Sequence, residues 1–178
     1  MIKRLFRDPF APATDTGPQP SFEPELDPDL KAEHPVQKAA VDHYRALSAG
    51  REMPLWRDFS PKTAPPEILP HLLLLDVTPA DPLQYRWRLM GTHVYETLKR
   101  DTTGKTFAEL YEGQGLERMK VAPRWVLEHR RPLRTNSCGS FNRAGFIPSE
   151  NLFLPFAGED GSIIRILLVT VFQPPEEI

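Results

Sequence analysis

A single cysteine, Cys138, cannot close an intramolecular disulfide, which fits a reducing, cytoplasmic setting. Long apolar runs are also missing. The longest, Leu72–Leu75 and Ile166–Val169, fall far short of the roughly 20 residues needed to span a bilayer. The start, MIKRLFRDPF, is basic but has no apolar stretch of signal-peptide length; at most Ile2, Leu5 and Phe6 could touch a membrane surface or a partner. Net charge is only −2, so overall charge points to no polyanionic partner. Arg124, Arg130, Arg131, Arg134 and Arg143 have no stacking motif interleaved with them, and they read as a mixed-charge face rather than a nucleic-acid surface. HExxH, paired CxxC, Walker and GxSxG signatures are absent, and Gly113-Gln114-Gly115 lacks the third glycine of a dinucleotide loop. The histidines at 34, 43, 71, 93 and 129 are scattered, with no metal-ligand spacing. The expectation is therefore a protein that holds no metal and is not an enzyme; the alternatives are an adaptor with a filled core and a small enzyme using Arg88, His93 and Asp76 or Asp101.

What the chain does have is apolar content of 40 %, enough for a real core, over a length of 178 residues that suits one domain. Residues 1–34 stand apart. Pro9, Pro12, Pro18, Pro20, Pro24 and Pro28 remove backbone donors where there is little to bury, so this segment reads as a disordered extension, either a dispensable tail or a docking arm. The domain then occupies 35–178.

Pro35 and Gly50 bracket a helix whose Val36, Ala40, Tyr44 and Leu47 form one apolar stripe, with His43 off that stripe and solvated. The proline-rich stretch 51–70 should be an irregular cover for the core, carrying Met53, Leu55, Trp56 and Phe59. Residues 72–77 read as a buried strand. Residues 84–90 alternate, with Tyr85, Trp87 and Leu89 on one side and Gln84, Arg86 and Arg88 on the other. Thr92 caps a short helix to about Leu98, and Thr106 caps another ending near Tyr111. A longer helix from about Gly115 to His129 should kink or break at Pro123. Strands at 132–142, 150–157 and 162–172 follow, the last two joined across Gly158–Gly161. An antiparallel sheet of five strands with helices on one face satisfies this order.

That order, with MPLWRDFSP…ILPHLLLLDV, YRWRLMGTHVYETLKRDTTGKTFAEL and ENLFLPFAGEDGSIIRILL, resembles a divergent family of PAS domains common in alphaproteobacteria, short and mostly stand-alone. The markers are Pro54, Asp58, Pro61, Leu69-Pro70, Arg88, Gly91-Thr92, Asp101, Gly104, Pro155 and Asp160-Gly161, over about residues 36–175. Lys99 stands where that family usually shows a glycine. The resemblance implies an α+β, PAS-like fold preceded by an N-terminal helix, and a sensory or regulatory role.

Five residues are ligand-binding candidates. Arg88 could hold a carboxylate or phosphate in two parallel bonds, or fix the strand end through Asp76 or Asp101. Thr92, His93 and Tyr95 lie in the short helix that borders the usual cavity of that fold. Trp125 could line a cavity or anchor a partner, as could Trp87. Haem is not expected, since His129 sits at the last helical turn beside Arg130 and Arg131. Flavin photochemistry is not expected either, since Thr102–Leu110 has no cysteine; Cys138 reads as a small core residue. With no effector following the domain, output would pass through a signalling protein such as a kinase or regulator, or through a homodimer made by the 36–48 helix. That helix could equally cover its own sheet.

Overall fold

A computed structural model describes residues 24–142 and 145–173, with 137–142 and 145–146 described by backbone alone. Six strands form one sheet in the order β1-β4-β5-β6-β2-β3: β1 (Glu25–Asp27), β2 (Leu72–Thr78), β3 (Gln84–Met90), β4 (Leu133–Asn142), β5 (Gly145–Ala157) and β6 (Ile163–Phe172). All pairings are antiparallel. The helices are α1 (Pro35–Ser48), α2 (Thr92–Leu98), α3 (Phe107–Leu110) and α4 (Gly113–His129).

The sixth strand corrects the reading of residues 1–34 where they are described. Leu26 pairs with Thr135, and Leu26 and Leu30 pack on the core. Asp27 binds the guanidinium of Arg134 at 3.0 Å. A three-residue strand between two prolines leaves almost no periodicity to read. The arm at 1–23 lies outside the described residues.

The helices also divide between two faces rather than sharing one. α1 lays Gln37, Ala40, Val41 and Tyr44 on the face of Leu152, Leu154 and Phe156. Gln37 donates to the Val169 carbonyl, and Tyr44 donates to the Pro155 carbonyl at 2.8 Å. Burial pushes the Tyr44 phenol well above its ordinary pKa, so it stays a neutral donor. The stripe of α1 therefore covers its own sheet, and self-association through this helix would have to use the side of Lys38, Asp42 and Arg45. His43 is not solvated as expected: it is half-buried, edge-on to Phe59 at 6.3 Å, with Nε2 shut away from water. Trp56 and Phe59 continue this layer against Phe156, and two 3₁₀ turns, Trp56–Asp58 and Pro66–His71, give the proline-rich cover more regularity than expected.

The other face carries α2, α3 and α4. Gly91, not Thr92, is the N-cap of α2; Thr92 is already the first helical residue. Lys99 ends α2 at φ 54°, a left-handed position that glycine adopts without steric cost and lysine does not, which explains the glycine usual there. Thr106 and Glu109 close a reciprocal capping box on α3. α4 runs unbroken through Pro123, whose ring leaves the Met119 carbonyl without its helical donor.

Candidate functional site

Between the sheet and α2–α4 lies a cavity of about 150 Å³. Its floor is set by strand register. Phe153, Leu168, Leu73 and Met90 are successive partners across β5, β6, β2 and β3 and make an apolar row. Two residues along, Thr135, Asn151 and Thr170 make a polar row across β4, β5 and β6, with Thr170 donating to Asn151 at 2.8 Å. The roof is Val94 and Leu98 of α2, Phe107 of α3, and Arg118, Met119, Ala122 and Pro123 of α4. Trp87, Tyr111, Thr102 and Arg100 close the sides, and Pro24 reaches the cavity from the segment before β1. Burial raises the pKa of the Tyr111 phenol, keeping it neutral.

A β-bulge decides which residues of β3 face this space. Leu75 pairs with Trp87 and Leu74 with Leu89, so Arg88 is the extra residue. The phase slips by one: Trp87 and Met90 face the cavity, and Leu89, expected inside, is 45 % exposed. Strict alternation cannot reveal such a slip.

The five sequence candidates fall outside the cavity lining. Arg88 binds Asp76 at 3.2 Å on the opposite face, where Arg165 also holds Asp76 at 2.9 Å and lies over the Trp56 ring at 4.5 Å. That ion pair with Asp76 is one of the alternatives its position left open. Thr92 is exposed, and Tyr95 is 50 % exposed. Trp125 stacks on His129 at 4.1 Å, with Arg131 at 6.0 Å, away from the cavity; Trp87 is the tryptophan that lines it. The Cys138 side chain lies outside the described residues, as does Arg143. The other four arginines of the basic group bind locally: Arg124 to Glu117, Arg130 to Glu52, Arg131 to the Pro28 carbonyl, and Arg134 to Asp27 and Glu150.

His93 has company that its sequence position conceals. Its ring lies 4.3 Å from His71 and 5.8 Å from Phe172, and His34 lies 6.4 Å from His71. His34 caps α1 through Nδ1, and His71 bonds the Thr170 carbonyl at 3.0 Å. Three histidines spread over 60 residues of chain gave no spacing to read; the fold alone gathers them. Among the described residues no group of three or more ligand-type side chains is placed to hold a metal.

Desolvation, then the neighbouring His71 and His34, hold the His93 pKa below 6.5, against an opposing pull from Glu96; burial lowers His43 likewise. The folded state thus binds fewer protons than the unfolded state once pH falls below 6.5, so stability drops with pH until each folded pKa is passed. Thermal melts should fall by a few degrees between pH 7 and pH 5. The double change His43→Gln, His93→Gln should flatten that slope, and an unchanged slope would remove these two histidines as its source.

A family profile described as PAS domain matches residues 32–170, the sheet from β2 to β6 with α1–α4. No curated protein and no solved structure matches the chain. No helix among the described residues is long and apolar enough to cross a membrane. Over residues 32–170, more than half its length, this chain belongs to the PAS-domain family, a family of sensory and regulatory modules.

Proposed function

We propose that the protein is a cytoplasmic, non-catalytic regulatory module that takes a small molecule into the cavity under α4 and passes on the change through a second protein, such as a kinase or regulator, or through self-association. The observation that carries this reading is the cavity itself, with a floor split into an apolar and a polar row. A ligand needs both: apolar surface for affinity and a few placed polar groups for orientation. The size suits a compact guest of roughly benzene bulk rather than a flavin or haem. The lining favours binding over turnover, since it offers neither histidine nor carboxylate among the described residues.

Native mass spectrometry of the full chain purified from its own host tests this. The expected result is a mass excess on the order of 100 Da, lost on denaturation. In Ala122→Phe, which fills the cavity, that excess should disappear while the fold persists. A clean apo mass in the parent protein would favour an adaptor acting by surface alone.

A further inference from the structure

Resting on that reading, we propose that the cavity's ligand is a small organic acid, with its carboxylate on Arg118 and its hydrocarbon end over Phe153, Leu168 and Leu73. Arg118 is a half-buried cation on α4 that lines the cavity and makes no hydrogen bond or ion pair with any described residue. Other arginines in the fold are held locally: Arg51 by Asp58, Arg57 by Glu159, and Arg134 by two carboxylates. Arg100, the other cation in the lining, has interactions of its own, so the headgroup is assigned to Arg118. Among the described residues no Asp or Glu lines the cavity to compete for either.

A second observation is independent of charge. Thr135 is 1 % exposed, faces the cavity from the polar row, and its hydroxyl has no hydrogen-bond partner. A buried hydroxyl without a partner is costly, and a guest oxygen is the natural means of satisfying it. A carboxylate has two oxygens with lone pairs to spare, enough to accept from a guanidinium and from a hydroxyl together. A neutral hydrocarbon would leave both donors unmet.

Calorimetric titration of the full chain, stripped by unfolding and refolding, separates the possibilities. The probes are butyrate, hexanoate and benzoate, each against its primary amide, which keeps the shape and removes the charge. At least one acid should bind about ten- to hundredfold more tightly than its amide, the range a charge-assisted bond supplies. Arg118→Met should abolish that preference while leaving the amide's affinity unchanged, and Arg118→Lys should keep part of it. Thr135→Val, which removes the hydroxyl at constant shape, should weaken acid and amide alike without erasing the preference. Amides binding as well as acids, with Arg118→Met silent, would overturn the acid assignment and leave the ligand-binding reading standing. No binding by any of the six at millimolar concentration, with a clean apo mass from the native host, would overturn both.

Discussion

Gly91→Ala is expected to cost about 3 kcal/mol or more, at or beyond the upper end for overpacking. The cause is not backbone strain, since Gly91 sits at φ −68°, open to any residue. A Cβ there would lie 2.4 Å from the Pro70 carbonyl oxygen, 2.7 Å from its carbon and 2.9 Å from the Leu69 oxygen. All three are main-chain atoms of the 3₁₀ turn, so no side chain can swing aside. Nor can the strand retreat, because the Gly91 N–H is tied to the Leu72 carbonyl at 2.6 Å. The substitution must part α2 from the turn at Pro66–His71, and with it the roof that Val94 and Leu98 give the cavity. Melting should fall by roughly 10 °C in a domain of this size. A loss under about 1 kcal/mol in urea titration would mean that the turn yields easily and is not the joint described.

Arg134→Ala should cost about 3–5 kcal/mol, the range for breaking a buried ion pair from one side. Arg134 is buried between Asp27 at 3.0 Å and Glu150 at 2.7 Å, with a further bond to Asn136 at 3.3 Å. Burial opposes its charge, yet the bonds from Glu150 and Asp27 outweigh that and raise its pKa. Without the guanidinium, two largely buried carboxylates are left without their shared cation, and β1 loses its side-chain tie to β4. The control reverses the sign of the argument. Asp27→Leu, Arg134→Met and Glu150→Leu together remove every charge and should restore most of the stability, because apolar packing commonly equals a desolvated ion cluster. Urea midpoints of the single and triple variants decide it; a single variant no worse than the triple would show that the site is wet.

The elements that periodicity could reach were legible. α1, β2, β3, the cap at Thr106 and the β5–β6 hairpin follow from apolar spacing and turn residues that act locally. The markers that pointed to a PAS domain mostly proved to be joints. Asp58 accepts from the Leu55 N–H, Asp101 from Thr103, Asp160 from Ser162, and Gly91 meets Pro70. Such residues announce a fold and say little about a ligand. β1 escaped because its only apolar residue inside the strand is Leu26. The division of helices between two faces escaped because a stripe on α1 shows that a face is buried, not which one. The cavity escaped for a related reason. Thr135, Asn151 and Thr170 lie in three separate strands, and only pairing register places them side by side. Arg118 looked like any other charge on α4, since a missing partner can be seen only when every neighbour is in place.

Each margin of the sheet is closed over part of its length to a visiting strand. At one end β1 offers three residues, and Pro24 and Pro28 flank it with no amide hydrogen to give. At the other, the outward amide and carbonyl of Trp87 are taken by Lys105 and Gly104, at 2.9 Å and 2.7 Å. At these positions an extended peptide would find few open hydrogen-bonding groups. Over these stretches a second protein could read side chains on the outer faces but could not lengthen the sheet. The same closure should keep the protein from stacking rim to rim into fibrils when it is concentrated.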